Sequence, residues 1–95
     1  MATKDVVVDI LHKELFVVDD ASNEIDIYKL DDDGTPTAKL RCISGSATQL
    51  NGPSGLSINM LRDEIYVVNG TDAKLLVFDR EADGNVTPLR NIALL

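Results

Sequence analysis

Six polar side chains recur along this chain in near-matched places. Asp9 and Asn59 stand fifty residues apart, as do Asp19 and Asn69, and Asn23 and Asp72 follow the second pair at four and three residues. Repeated carboxylates and amides are hard oxygen ligands of the type calcium takes. Asp and Asn placed just after a strand also bind local backbone N–H groups and set tight turns. Turn-setting is the favoured reading of Asp19, Asn69, Asn23 and Asp72, with ligand contact as the alternative. His12 is the single histidine and Cys42 the single cysteine. No serine, cysteine or second histidine is placed by spacing as a partner for His12, so a nucleophilic triad has no support. The sequence predicts an exposed turn histidine, and a small, half-buried cysteine on an outer strand. Asp31-Asp32-Asp33 lacks the alternating ligand spacing and distal glutamate of a calcium loop and runs into Gly34, which reads as a solvated turn.

Composition narrows the classes further. Ninety-five residues with a net charge of −7, 44% hydrophobic and 26% charged, describe a folded unit near the size where one core suffices. The acidic balance offers no basic patch for phosphates, so nucleic acid is not an expected partner. No apolar run approaches the ~20 residues of a membrane helix. Residues Met1–Asp5 carry no secretory pattern of charge followed by a long apolar stretch, and the compartment stays unassigned. A lone cysteine excludes an intramolecular disulfide and a cysteine zinc cluster. No cofactor is expected.

The elements that position these residues come from an internal repeat. Glu14-Leu-Phe-Val-Val-Asp19 lies over Glu64-Ile-Tyr-Val-Val-Asn69, Ile25-Asp-Ile-Tyr28 over Leu75-Leu-Val-Phe78, and Asp33-Gly34 over Asp83-Gly84. After one extra residue in the first copy, Leu40-Arg-Cys-Ile43 lies over Leu89-Arg-Asn-Ile92, and upstream Val6–Ile10 lies over Leu56–Met60. The copies span 1–45 and 52–95, with residues 46–51 as linker. Each copy reads as four short strands. They fall at Val6–Ile10, Leu15–Val18, Ile25–Tyr28 and about Ala38–Ile43, then at Leu56–Met60, Ile65–Val68, Leu75–Phe78 and about Pro88–Ile92. The apolar runs are too short and too closely bracketed by turn residues for helices.

The second strands, Leu15-Phe-Val-Val and Ile65-Tyr-Val-Val, are apolar on both faces and want cover on both sides. Antiparallel four-stranded sheets of this length, covered on both faces, are β-propeller blades. The expected fold is therefore all-β: two four-stranded antiparallel blades that complete a propeller by oligomerisation. Phe16, Val17, Val18, Tyr66, Val67 and Val68 form the expected assembly core. Two stacked blades leave two outer faces uncovered, so the partner expected is the chain itself. Head-to-tail contacts then close a ring or run on as a filament.

Val17-Val-Asp19…Asn23-Glu-Ile25-Asp-Ile-Tyr28 resembles the blade motif of NHL-type and related six-bladed bacterial propellers. Asn51-Gly-Pro-Ser-Gly-Leu-Ser-Ile58 is similar to the lead-in to their innermost strand, and Asp79–Ile92 to their third-to-fourth-strand connection. The first copy departs from this by starting at Thr3-Lys-Asp-Val without the Gly-Pro-Ser-Gly lead-in. The resemblance implies six blades, hence a homotrimer, with an eight-bladed homotetramer as second choice. It implies that Asp9 and Asn59 lie beside a central channel, and that the Asp19 and Asn69 loops lie on the face where such rings bind ligands. Three functions follow as expectations: a self-assembling scaffold or binding module without catalysis, a lactonase-like metal-dependent hydrolase on the same ring, or an inactive fragment of a longer propeller. The missing acid, base and metal set favours the first.

Overall fold

A computed structural model describes residues 2–94. The expected outer limits of the two repeats, residues 1 and 95, lie outside that range. Eight strands follow in chain order: β1 Thr3–Asp9, β2 Glu14–Asp19, β3 Glu24–Leu30, β4 Pro36–Ile43, β5 Pro53–Asn59, β6 Glu64–Asn69, β7 Lys74–Asp79 and β8 Arg90–Ala93. They form two antiparallel four-stranded sheets of order β1-β2-β3-β4 and β5-β6-β7-β8. A 3-10 turn at Ser46–Thr48 lies in the linker, and no α-helix occurs among the described residues.

The repeat is carried down to backbone angles. Lys13 and Asp63, closing the first hairpin of each sheet, take φ of 56° and 57°, and Asn23 and Ala73, closing the second, both take 52°. The third connection turns on Gly34 and Gly84 at φ 86° and 84°, a region glycine enters without cost. The first strands begin earlier than the apolar pattern indicates, at Thr3 and Pro53. The fourth strands differ from each other. β4 starts at Pro36, on an edge where a missing N–H does no harm. Pro88 precedes β8, which begins at Arg90, and between them the Leu89 N–H donates to Val77 O at 2.7 Å.

Register decides which faces meet. In the first sheet Phe16 pairs with Ile27 and Val18 with Ile25; in the second, Ile65 pairs with Phe78 and Val67 with Leu76. These eight side chains, with Ile43, Leu50 and Leu56, make one buried core. Repeat equivalence would match Phe16 and Val18 with Tyr66 and Val68, yet the second sheet contributes the neighbours of opposite parity, Ile65 and Val67. Successive strand residues point to opposite faces. The sheets therefore meet head to tail, through unlike faces. Phe16, Val18 and Val67 lie in the shared core, whereas Val17, Tyr66 and Val68 belong to the two outer faces, with Val17 still buried and Tyr66 and Val68 half-buried. Each outer face has an apolar centre, Val6, Val8, Leu15, Val17 and Tyr28 on the first sheet and Tyr66, Val68, Leu75, Val77 and Ile92 on the second, flanked by Asp26, Lys39 and Cys42 on the first and Arg90 on the second.

The β7–β8 connection crosses back to the first sheet. Gly84 bridges Ile43 in parallel, its N–H donating to Cys42 O at 2.7 Å, and the Cys42 N–H donates to Asp83 Oδ1 at 3.1 Å. The Leu56 N–H donates to Asp5 Oδ2 at 3.0 Å and the Gly52 N–H to Asn23 Oδ1 at 2.9 Å, which fasten β5 and its lead-in to the first sheet. Val67→Ala, which removes methyls from the sealed core, should lower unfolding free energy by about 1–3 kcal/mol. Leu61→Ala at the fully exposed turn should change it by less than about 0.5 kcal/mol. Urea melts of both variants check this contrast.

Candidate functional site

The six sequence-selected polar residues are divided among three places. Asp9 ends β1 with its carboxylate buried; the His12 N–H donates to Oδ1 at 3.0 Å and His12 Nδ1 lies 2.7 Å from Oδ2. His12 thus has a carboxylate partner three residues back, held in the same turn. Asn59, the equivalent of Asp9, accepts the Arg62 N–H at 3.2 Å and donates through Nδ2 to the Tyr66 hydroxyl at 3.2 Å. Both residues spend their oxygens on their own hairpins.

Asp19, Asn69, Asn23 and Asp72 cluster at the other end of the sheets. Asp19 accepts from the Ala2 and Ala21 N–H groups, each at 3.1 Å, and from the Ser22 hydroxyl at 3.2 Å. The Ala2 bond is the main reason its carboxyl titrates below the ordinary range. Asn69 is fully buried; it accepts the Asn51 N–H at 3.0 Å and donates to Gln49 O at 2.9 Å. Asn23 holds Gly52, and Asp72 is exposed on the turn. These groups fasten turns and the lead-in to β5. Asp31, Asp32 and Asp33 are exposed, with Asp31 and Asp33 accepting N–H groups of their own turn.

One cluster has metal-ligand chemistry. Oxygen and sulfur atoms of Glu24, Asp26 and Cys42 lie within 4.8 Å of one another. Lys39 already places its ammonium 2.9 Å from Asp26 Oδ1 and 3.8 Å from Glu24 Oε2. Its pKa is raised, chiefly by the contact with Asp26. The Cys42 thiol donates to Glu24 at 2.7 Å, and burial, then this bond, pushes its pKa up to about 12. A protonated thiol beside a lysine in the cation's place is a closed internal network, not a nucleophile. Sequence reasoning missed it because Glu24 and Cys42 are brought together only by the β3–β4 pairing.

Two further features were not legible as sites. Between β1 and β5 lies a cavity of about 500 Å³, walled by Val7, Leu56 and Ile58, with Ile10, Leu11 and Met60 at its mouth. At the same end, each sheet holds a glutamate between two arginines. Arg41 clasps Glu14 at 2.7 and 3.1 Å from one side, and Arg80 reaches it from the second sheet at 3.2 Å. Arg90 clasps Glu64 at 2.8 and 3.3 Å, while Arg62 bonds it at 3.2 Å from the same sheet. The Arg90 hydrogen bonds, ahead of the contribution from Arg62, hold the Glu64 carboxyl below the usual range. No protein-family model matches the chain, and no curated protein is significantly similar to it.

The Cys42 network has a direct readout. At pH 8 the folded thiol should react with a disulfide reagent about 10³-fold more slowly than the thiol of the urea-unfolded chain, since the thiolate fraction falls with the pKa. Stopped-flow absorbance of both states measures the ratio; equal rates would mean that Cys42 is neither buried nor bonded to Glu24.

Proposed function

We propose that the chain is a self-assembling scaffold and binding module of the β-propeller class, each sheet acting as one blade and three copies closing a six-bladed homotrimer. The observation that carries this reading is the parity of the core. The first sheet offers its Phe16–Val18 face and the second answers with its Ile65–Val67 face. The Tyr66–Val68 face of the second sheet is the repeat of the former, and the Leu15–Val17 face of the first sheet is the repeat of the latter. Each outer face is thus a half of the contact the chain already makes with itself. A second copy supplies the missing half, and such heterologous contacts close when the rotation divides the circle. Exposed apolar faces of this extent favour association in water.

Other details support the same reading. Gly34 has the backbone φ of Gly84, so the corresponding turn recurs on the outer side of the first sheet. Asp26, where the second blade has Leu76, enters such a junction already neutralised by Lys39. The cavity between β1 and β5 faces the axis of the ring, and its apolar mouth is the surface for a binding partner. Every candidate ligand at Asp9, Asn59, Asp19 and Asn69 is engaged in fastening backbone, which supports binding or scaffolding over hydrolysis.

Light scattering on a sizing column tests this. Three chains of 10.3 kDa give 30.9 kDa. A mass of 41.2 kDa, from four chains of 10.3 kDa, would keep the ring and replace six blades by eight. A monodisperse 10.3 kDa species would overturn the assembly.

A further inference from the structure

The contact inside the chain shows what a junction between blades requires at its charged end. Glu14 stands on the meeting face of the first sheet, and its carboxylate is reached across the junction by Arg80. Arg80 is itself held by Asp63 at 2.5 Å and by Glu81 at 3.5 Å, both on the second sheet. Arg41 closes the group by donating to Arg80 O at 3.4 Å. One cation therefore crosses from the second sheet to the first.

The repeat equivalents of these groups are not identical. Position 80 corresponds to Leu30, position 63 to Lys13 and position 81 to Asp31, whereas Glu14 corresponds to Glu64 and His12 to Arg62. A copy docking on the outer face of the second blade would bring Leu30, which has no cation to give. Glu64 has instead acquired its second arginine from its own hairpin. Arg62 bonds Glu64 through Nε alone, its side chain is 61% exposed, and its two terminal amines donate to no described residue.

The opposite outer face has the complementary shape and charge. A cavity of about 230 Å³ opens there, with Val8, Ile10 and Leu30 as its apolar wall and Lys13, Asp31 and Asp32 at its rim. The Asp31 carboxylate is spent on the Asp33 and Thr35 N–H groups. Asp32 is 92% exposed at its side chain and pairs only with Lys13. At this end the outgoing face thus carries two arginines against one glutamate, and the cavity rim on the incoming face two aspartates against one lysine. Resting on the assembly reading above, we infer that Arg62 of each copy enters this cavity on the next copy and pairs with Asp32. The ring would then contain two kinds of junction with opposite charge direction. Within a chain the cation crosses from the second blade's β7 end to Glu14; between chains it crosses from the β5–β6 hairpin to Asp32. This inversion gives each junction its own partner, since Arg62 and Asp32 stand on the two opposite outer faces of a chain.

Charge reversal tests the pairing in solution. Arg62→Glu and Asp32→Arg should each raise the concentration at which half the chains are assembled by about tenfold or more. The double variant Arg62→Glu/Asp32→Arg should return it to near the wild-type value. Arg62→Gln, which only removes the charge, should fall between the two and covers the case in which the reversal disturbs the hairpin; far-UV dichroism verifies that each variant is folded. Assembly of the single variants at wild-type concentration would overturn the pairing while leaving the ring intact. Weakened single variants without recovery in the double would also overturn it. A monomeric wild type would overturn the assembly reading itself.

Discussion

The parity with which two near-identical sheets meet constrains everything else in this molecule. Alternate residues of a strand point to opposite faces, so equivalent residues in two stacked repeats cannot both lie in the shared core unless the sheets meet face to like face. Here they do not. Phe16 and Val18 pack against Ile65 and Val67, not against Tyr66 and Val68, and the contact is directional. A directional contact between repeats has no internal reason to stop at two. The apolar side chains on both outer faces follow from the same second strands, in which every residue between the polar ends is aliphatic or aromatic.

Charge is handled with the same economy. The glutamate that begins each second strand is desolvated by its neighbours, and an unpaired buried carboxylate is costly. Both copies meet the requirement with two arginines, but from different sources: across the junction through Arg80 for Glu14, and within the hairpin through Arg62 for Glu64. The two repeats have diverged at positions 12 and 62 and at 30 and 80 in a compensating way. The outcome is a constant local charge on a variable scaffold. The polar turn residues follow a parallel logic. Asp19 and Asn69 occupy one place in the repeat, yet Asp19 gathers three donors from its own turn and the preceding strand, whereas Asn69, both donor and acceptor, ties the linker to the second sheet. An aspartate could not donate to Gln49 O, which gives the substitution a physical reason.

Much of this fold was legible in the sequence because it is written twice. The offset of fifty residues located all eight strands, and the β-branched second strands marked Phe16, Val18 and Val67 of the shared core. Strand ends were less legible: Thr3 and Pro53 join the ladder through neighbouring strands that composition does not encode, and Pro88, with no N–H to give, stops two residues short of β8. The side-chain clusters were least legible. Cys42 finds Glu24 only through the pairing of β3 with β4, and Arg80 finds Glu14 across 66 residues of chain. Each depends on register or packing between elements, which spacing along the sequence does not carry. The residues chosen for chemistry, Asp9, Asn59, Asp19 and Asn69, proved to be anchors for the same reason: their choice rested on residue type, and their role is set by the backbone donors beside them.

The claim that unlike faces complete one another between copies is tested most directly by isotope-filtered nuclear Overhauser spectroscopy on a mixture of labelled and unlabelled chains. The account predicts intermolecular contacts from Tyr66 and Val68 of one copy to Leu15 and Val17 of another. Contacts joining like faces, such as Val17 to Val17 or Tyr66 to Tyr66 across a two-fold axis, would contradict it, as would a spectrum containing no intermolecular contacts at these residues.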